Sequence, residues 1–541
     1  MVVDGDRCRF DLVDQPWIPV RLLDGTVCEV GLRSALARAH EIVGLDLEFP
    51  TQEPALLRLL LAVCYRALEG PIDDAAWDEL WKLPAIPESP LSDYLERWRE
   101  SFDLFDPEVG FFQSPHLEPA GAGGLKPASK LISHAPSGNN VPVFTPITDA
   151  MDLTLSPAEA ARWLVERHGW GTTSDKTGAK GNPKLKAGKD TPQVGHLGWI
   201  GFVAPIGKTL RETLLLNLIP WSRTGWIKSG PTDLPAWERS PLGPERQERP
   251  PAGVCDLFTW QGRRIRLFPE SRAGEVTVAQ VLICAGDDLP RDALRTVDPH
   301  TGWHSSKEKD GTLTFSPLRA RPGQQVWRGL SALLALKDDD ERAAVLSWLA
   351  ALESRGVSQT SVLVTSAEFG SMSTTLKDLV SDRLETPVSV LRSEDLAAAT
   401  VAGDAVSLAE DVAKALWHVA NGPFLKHDPE RDRYDVPEGK TNAAREARQA
   451  ISEEFYAALD AAFRHFLLGL AASEPLMSAR ERWSDEVRKT GLEVARRHIA
   501  QLAATEAFTG ALAEGWFRRA LARACEEFCP SLDDKDHEEV V

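Results

Sequence analysis

The hydrophobic pattern of this chain changes near residue 390, and that change limits what the chain can fold into. Beyond this point, four long segments repeat apolar residues at spacings of three and four, which is typical of amphipathic helices. Four such helices with short connections form a bundle. The apolar stripes predicted for the second and fourth segments are Ile451, Phe455, Leu459, Phe463, Phe466 and Leu470, and Phe508, Leu512, Trp516, Ala520 and Phe528.

Before residue 390, short strand-like segments alternate with short helices. Asp24-Gly25 separates two segments in which apolar and polar residues alternate, and it predicts a hairpin turn between two strands. Ser156-Pro157 predicts the start of a helix. A chain of 541 residues is also too long for one compact core. We therefore predict an α+β fold, with a mixed α/β domain over residues 1–390 and a C-terminal four-helix bundle over residues 391–541.

Composition narrows the class of protein. The formal net charge of −19 argues against a simple non-specific DNA binder. It does not argue against a local basic site, because charges more than about 8 Å apart are largely screened from one another. The seven cysteines are scattered without a CxxC pair, so neither a disulfide framework nor a metal is predicted, and no cofactor is implied. The N-terminus lacks a signal-peptide pattern and no apolar run is long enough to span a membrane, so we expect a cytoplasmic protein with no membrane partner.

One segment contrasts with the acidic balance. SDKTGAKGNPKLKAGKD, residues 174–190, is called the lysine loop here. It contains Lys176, Lys180, Lys184, Lys186 and Lys189 with no acid between them, and its glycines and Pro183 exclude a regular helix. Two interpretations are open, a flexible surface loop or a site for anions, above all phosphates. Lysines suit a phosphate backbone because they act as mobile point charges.

Motifs for catalysis are incomplete. A nucleotide P-loop requires glycine where the chain has Pro183 and a hydroxyl residue where it has Asp190. His300 and His304 have the spacing of a zinc-binding helix, but Pro299 breaks such a helix and the motif's glutamate is missing, so turn packing is the better interpretation. We predict no catalytic residue and treat a nuclease or NTPase as a weaker rival class.

A second candidate binding segment is Ser137-Gly138-Asn139-Asn140. Small residues permit close approach of a backbone, and amide side chains can read the minor groove of DNA. A tight turn is the alternative interpretation of these four residues.

Several segments occur in the order known from one family. They are FDLVDQPWIPV, TQEPALLRLLLAV, KLISHAPSGNNVPVF, the lysine loop followed by LGWIGF, DLFTWQGRRIRL and DPHTGW. Over nearly its whole length, the chain resembles the CasA family, the large subunits of type I-E CRISPR Cascade surveillance complexes. Any one segment is weak evidence, whereas six in the same order are strong evidence.

The resemblance implies a function. Members of this family recognise the protospacer-adjacent motif (PAM) on double-stranded DNA, largely from the minor groove, and help to open the duplex. They lie near the 5′ end of the crRNA, contact the backbone and small subunits of Cascade, recruit the helicase-nuclease, and have no catalytic site. Guide pairing supplies the sequence specificity in such complexes.

The resemblance also implies roles for residues. Ser137 to Asn140 correspond to a loop that contacts the PAM and the guide's 5′ end, and the lysine loop to one that approaches the duplex backbone. The segment EFGSMSTT corresponds to a hairpin that wedges into the duplex, with Ser371, Met372 and Ser373 at its tip, where the family usually has glutamine or asparagine. Met372 can act as an apolar wedge instead.

Two questions stay open at the level of sequence. On the resemblance, the bundle contacts the small subunits and a DNA strand, but the cations of its third helix are equally typical of a solvated face. These cations are Arg480, Arg482, Arg488, Lys489, Arg496 and Arg497. The alternative function is a protein-interaction scaffold of a ribonucleoprotein that does not read DNA directly.

Overall fold

The computed structural model describes residues 8–121, 123–135, 145, 151, 153–223, 232–272, 275–334, 340–391, 396–471, 475–502 and 506–529. The helices are α1 (Leu32–Ala37), α2 (Gln52–Ala67), α3 (Asp74–Lys82), α4 (Glu88–Arg97), α5 (Pro157–Trp170), α6 (His196–Trp199), α7 (Leu210–Asn217), α8 (Val254–Phe258), α9 (Arg291–Val297), α10 (Leu330–Leu333), α11 (Ala344–Ala351), α12 (Leu396–Asn421), α13 (Thr441–Gly469), α14 (Leu476–Ala500) and α15 (Ala507–Phe528). The strands are β1 (Ile18–Leu22), β2 (Val27–Val30), β3 (Ile42–Leu45), β4 (Lys126–Pro127), β5 (Phe202–Ile206), β6 (Arg263–Arg272), β7 (Glu275–Ala285), β8 (Trp303–Lys307), β9 (Leu313–Pro317), β10 (Asp340–Glu341), β11 (Gln359–Phe369), β12 (Leu376–Pro387), β13 (Lys426–Asp428) and β14 (Arg433–Asp435).

The predicted α+β fold class is confirmed. Small sheets and short helices occupy most of the chain before residue 390, and α12 to α15 follow. Contacts group the described residues into two compact units. The first draws on Met1–Pro322, Ala343–Trp348 and Val362–Asp382, and the second on Gly323–Arg342, Leu349–Ser361 and Arg383–Val541. The units interleave along the chain, and a domain boundary at residue 390 stays a prediction.

Three β-hairpins matter for the site. β1 pairs with β2 across the predicted Asp24-Gly25 turn, so that hairpin is confirmed. β6 pairs with β7 over their full lengths, and β4 lies on the other edge of β7. β11 and β12 form a hairpin whose sheet continues through β5. The β6–β7 hairpin supports the lysine loop, and the tip between β11 and β12 carries the predicted wedge.

Helix α5 begins as predicted. The Ser156 hydroxyl accepts from the Glu159 amide, the Glu159 carboxylate accepts from the Ser156 amide, and Pro157 occupies the first helical position. This reciprocal capping box satisfies two amides that a helix start otherwise leaves unpaired. Nearly every side chain of α5 is buried, including Glu166 and Arg167, so the helix brings charged groups into the interior.

A buried ion pair holds the core of the first unit. Arg58 on α2 donates from one guanidinium nitrogen to both carboxylate oxygens of Asp298, at 2.7 and 2.8 Å, and both side chains are fully buried. The rings of Phe202 and Phe258 lie 5.3 and 5.2 Å from the guanidinium carbon. His300 is also fully buried, and its amide donates to Asp298. The DPHTGW segment is therefore a packed turn of the core, as the sequence predicts.

The second unit is built on the helical bundle. Along α13 and its C-cap residue Leu470, the predicted stripe of six apolar residues is buried and is confirmed in full. On α15, the prediction is wrong for most of its members, since Phe508 is 67% exposed and only Phe528 of the five is buried. The residues that α15 buries are Gly510, Ala513, Phe517, Leu521, Ala524, Cys525 and Phe528. Because α15 has apolar residues on two adjacent faces, periodicity alone selected the neighbouring one.

The helices approach closely at Gly491 on α14. A Cβ atom at this position would lie 3.1 Å from Val412 on α12, 3.6 Å from Phe517 on α15 and 3.8 Å from Phe455 on α13. A hydrogen in place of a side chain lets the other three helices meet at one point. That close approach brings Phe517, and not its neighbour Trp516, into the core of the bundle.

The corrected face of α15 can be tested with two phenylalanines of the same helix. Phe517→Ala should destabilise the protein by about 3–5 kcal/mol, because it removes a fully buried aromatic side chain. Phe508→Ala is the matched control and should change stability by less than about 1 kcal/mol, since most of that ring is exposed. Chemical denaturation followed by circular dichroism measures both. Equal losses would contradict the assigned face.

Candidate nucleic-acid interface

The lysine loop packs on the sheet of the β6–β7 hairpin. Ala179 at the middle of the loop is fully buried in a cluster with Leu117, Leu282 and Cys284. The amide of Lys180 donates to the carbonyl of Glu118 at 2.8 Å. Of the two interpretations that the sequence leaves open, an unsupported surface loop does not describe this backbone.

A buried carboxylate secures the C-terminal end of the loop. Asp190 is 6% exposed and accepts a hydrogen bond of 2.9 Å from a terminal nitrogen of the Arg246 guanidinium, whose Nε lies 2.8 Å from the carboxylate. It also accepts from the Asn182 side-chain amide at 3.0 Å. The acid that follows the last lysine is therefore neutralised from the interior and does not offset the charge of the lysines outside.

A tight turn sets the tip of the loop. Lys186 and Lys189 exchange amide–carbonyl hydrogen bonds of 2.8 and 3.1 Å, and Ala187 and Gly188 between them both have positive φ. This is the pattern of a type I′ hairpin turn. The turn packs against Gly178, where a Cβ atom would lie 2.4 Å from the Gly188 carbonyl oxygen. The backbone of the tip is consequently held in one arrangement.

The turn places like charges opposite one another. Lys186 and Lys189 face each other as a hydrogen-bonded antiparallel pair, and both are exposed. Opposed like charges destabilise such a pair unless something neutralises them. Lys180 forms an exposed ion pair with Glu118 at 2.9 Å, whereas no carboxylate among the described residues forms one with Lys184, Lys186 or Lys189. These three ammonium groups are the ones best placed to meet an anion from solvent.

One buried carboxylate holds the N-terminal end of the lysine loop. Asp175 is 1% exposed and accepts from Arg167 on α5 at 2.5 Å and from Arg263 on β6 at 2.9 Å, and the Lys130 ammonium lies 3.7 Å away. Burial alone would raise the pKa of Asp175, but the positive charges of Arg167, Lys130 and Arg263 lower it well below its ordinary value. Asp175 is therefore ionised and joins three separate segments.

A second buried acid lies next to this network. Glu166 accepts from the Thr51 hydroxyl at 2.7 Å and from the Ser133 hydroxyl at 2.5 Å. Ser133 in turn accepts from Arg167 at 3.3 Å. Burial raises the pKa of Glu166 to about 7, and the two hydroxyl hydrogen bonds offset only part of that effect. Thr51 directly precedes α2, but its hydroxyl donates to Glu166 and does not cap that helix.

The tip of the predicted wedge hairpin lies against the base of the lysine loop. Met372 is 80% exposed, and Met372 and Ser373 both have positive φ, at 53° and 56°. Such a conformation costs about 1 kcal/mol or more for each residue other than glycine. Thr173 compensates in part: its amide donates to the Ser373 carbonyl at 3.0 Å and its hydroxyl donates to the Met372 carbonyl at 2.6 Å.

The structure thus brings two of the three predicted segments together. The lysine loop and the tip at Ser371, Met372 and Ser373 meet at Thr173. The third segment, Ser137 to Asn140, lies outside the described residues. The chain leading to it is described as far as residue 135, and Lys130 on that chain donates to the Ser174 hydroxyl at 3.1 Å.

Sequence reasoning missed the residues that support these segments. Asp175 and Arg263 are 88 positions apart, and no spacing rule pairs them. One indication was present in the sequence: Glu166, Arg167 and His168 stand consecutively between apolar and aromatic residues of α5. Consecutive charges on a helix with no polar face indicate a buried network.

Several cations of the predicted third bundle helix, α14, are engaged within the protein. Arg480 donates to the Phe528 carbonyl and pairs with Asp404, and Arg497 pairs with Glu454 at 2.7 Å. These contacts favour the interpretation of a solvated, ion-paired face. Within the part of the chain that the structure describes, no helix is long and apolar enough to cross a membrane, and no group of three or more acidic, histidine or cysteine side chains could hold a metal.

Comparison with known proteins identifies the family. The profile of the family CRISPR-associated protein Cse1 (CRISPR_cse1) matches residues 11–494, so the chain belongs to the Cse1 family. A crystal structure of Cse1 from Acidimicrobium ferrooxidans is 55% identical, covers 97% of this chain and 100% of its own, and superposes with a TM-score of 0.91. A CasA/Cse1 protein of Thermus thermophilus is 35% identical over 271 residues, which are 49% of this chain and 50% of that protein's length.

A more distant structure shares the fold alone. It is a chain described as part of a CRISPR RNA-guided surveillance complex, 17% identical, with a TM-score of 0.66 over 96% of this chain and 99% of that one. The family profile and the 55% identical structure confirm the resemblance to the CasA family that the sequence segments indicate.

The role of Asp175 in this site can be tested by removing its charge. Asp175→Asn should destabilise the protein by about 3–5 kcal/mol, because Arg167 and Arg263 would stay buried without their carboxylate. Glu118→Gln, which removes the exposed partner of Lys180, is the control and should leave the unfolding midpoint unchanged. Chemical denaturation of the purified chain measures both. A silent Asp175→Asn would contradict the assigned network.

Glu166 predicts a pH dependence of stability. Its folded-state pKa of about 7 lies above its ordinary value of 4.5, so the unfolded state releases the proton first as pH rises. Stability should therefore fall between about pH 4.5 and pH 7 through this group. Glu166→Gln removes the effect and should be more stable than the natural chain by about 3 kcal/mol at pH 8, with no difference near pH 4. Denaturation curves across this range measure the difference, and a gain that is independent of pH would refute it.

Proposed function

We propose that this chain is the non-catalytic large subunit of a crRNA-guided CRISPR Cascade complex that recognises the PAM on double-stranded DNA. It acts in the cytoplasm, with the backbone and small subunits and the 5′ end of the crRNA as neighbours. It helps to unwind the target and recruits the helicase-nuclease. Family membership supports the first part of this proposal, and the same fold occurs in a CRISPR RNA-guided surveillance complex.

The observation that carries the DNA-binding part is the charge arrangement of the lysine loop. Lys184, Lys186 and Lys189 are exposed on a backbone that is anchored at both ends by buried carboxylates. A duplex backbone would neutralise the opposed pair Lys186 and Lys189 and would release counterions. Binding of phosphates by flexible lysine side chains does not depend on the base sequence. The loop therefore positions the duplex and does not recognise its sequence.

Met372 acts as the wedge that enters the duplex. Its side chain is apolar and exposed, and hydrogen bonds from Thr173 hold its strained backbone at the base of the lysine loop. Proteins that kink DNA from the minor groove insert apolar side chains of this kind between base steps. Reading of the PAM itself belongs, on the family resemblance, to Ser137, Gly138, Asn139 and Asn140, whose small and amide side chains suit the minor groove.

The lysine loop can be tested by charge removal. Replacing its five lysines by alanine should weaken binding of the reconstituted complex to target and non-target duplex alike. It should also make the slope of log K against log salt shallower by about 4 to 5 if all five engage phosphates. Filter binding or fluorescence anisotropy from 50 to 300 mM salt measures both quantities. Unchanged affinity and slope would remove the phosphate role.

A control with the same change in net charge separates local from general electrostatics. It replaces five exposed lysines elsewhere by alanine, namely Lys82, Lys208, Lys307, Lys309 and Lys414. This control should keep most of the natural salt slope. If it lowers the slope as much as the loop variant does, the loop has no special role.

The complete proposal is tested by omitting the chain. Complexes reconstituted with and without it are titrated with target duplexes that carry correct or scrambled flanking sequences. Binding that the chain sharpens beside particular flanks supports PAM recognition. Equal binding with and without the chain would favour the alternative of a protein-interaction scaffold.

A further inference from the structure

We infer that Thr173 is a positioning residue that couples the lysine loop to the hairpin tip, so that phosphate engagement and duplex opening occur as one step. This inference rests on the proposed function of the two elements. It assigns a role to a residue that belongs neither to the lysine loop nor to the tip.

The hydrogen bonds of the hairpin tip show that Thr173 holds its two strained residues. Hydrogen bonds within the hairpin use the carbonyls of Gly370 and Ser371, which accept from Ser373 and Thr374. The carbonyls of Met372 and Ser373 accept instead from the hydroxyl and the amide of Thr173. The two residues with positive φ are thus the two that Thr173 holds.

The residues on either side of Thr173 are themselves held in place. The carbonyl of its neighbour Thr172 accepts a hydrogen bond of 2.8 Å from the buried Arg263 guanidinium. The hydroxyl of its other neighbour, Ser174, accepts one of 3.1 Å from the Lys130 ammonium. The hydroxyls of Thr172 and Ser174 also bond to each other at 2.7 Å. Thr173 therefore projects from a segment that the Asp175 network immobilises, which makes it a firm support for the tip.

A mechanical consequence follows. The lysine loop begins directly after Thr173, so a duplex held by the lysines has a set position relative to Met372. Without the Thr173 hydroxyl, the hairpin keeps its strands but its tip can relax from the left-handed conformation. Phosphate binding would then survive, whereas insertion of Met372 would lose its alignment. A change at Thr173 should therefore slow opening without weakening binding only if this coupling exists.

The test measures opening and binding separately on the reconstituted complex. A target duplex carries 2-aminopurine at the first base pair beside the flank, and its fluorescence reports opening. Thr173→Val should reduce the rate of opening about fivefold, the equivalent of one ordinary hydrogen bond. It should leave duplex affinity and its salt slope unchanged. Thr173→Ser keeps the hydroxyl and should open the duplex at the natural rate.

A double-mutant cycle distinguishes coupling from general damage. If Thr173 acts through the tip, then Thr173→Val should add nothing to the loss caused by Met372→Ala. Additive losses, or natural opening by Thr173→Val, would overturn the inference. Thr173→Ala serves as a second variant that introduces no new atoms, and thermal unfolding confirms that each variant is folded.

The outcomes also separate this inference from the proposed function. If Met372→Ala opens the duplex normally and the five-lysine variant binds normally, the proposed function fails, and the role of Thr173 fails with it. If both of those variants are defective while Thr173→Val and Thr173→Ala are normal, only the coupling is wrong.

Discussion

The arrangement of the candidate interface depends on the carboxylate of Asp175. A buried charge is tolerated only where it is paired and hydrogen-bonded, and Asp175 meets that condition through Arg167 and Arg263. Those two cations belong to α5 and β6, so satisfying one carboxylate requires a helix, a strand and the start of the lysine loop to meet. The requirement is geometrically strict, because guanidinium groups donate in a plane. It gives the loop a rigid origin within the first unit.

This origin reconciles order with mobility. The loop's backbone is held by Asp175 at one end, Asp190 at the other and the buried Ala179 between them. The ammonium groups of Lys184, Lys186 and Lys189 stand on long side chains in solvent. A ligand with repeated phosphates can therefore meet mobile charges on a fixed frame. The chain's net charge of −19 does not prevent this, since charges farther away than about 8 Å are largely screened.

Segments that indicate the family do not all lie at the candidate interface. DPHTGW contributes Asp298 and His300 to the core, where Asp298 pairs with Arg58 between two phenylalanine rings. TQEPALLRLLLAV contributes α2, which carries that arginine. KLISHAPSGNN, in contrast, contributes Lys130 and Ser133 to the network around the lysine loop. The shared order of segments therefore indicates a shared fold, and only some of these segments contribute to the candidate interface.

The sequence by itself determined the α+β class, the α13 stripe, the start of α5 and the cationic loop, because each depends on neighbours within a few positions. It also indicated Met372 at a hairpin tip. Only the tertiary structure decided which face of α15 is buried, since Gly491 and Phe517 meet through packing of separate helices. The same holds for the Asp175 network and for the contact of Thr173 with the tip, which joins residues 199 positions apart. Local patterns depend on residues that are close together in the sequence. The pairing of distant charges depends instead on which surfaces the folded chain brings together.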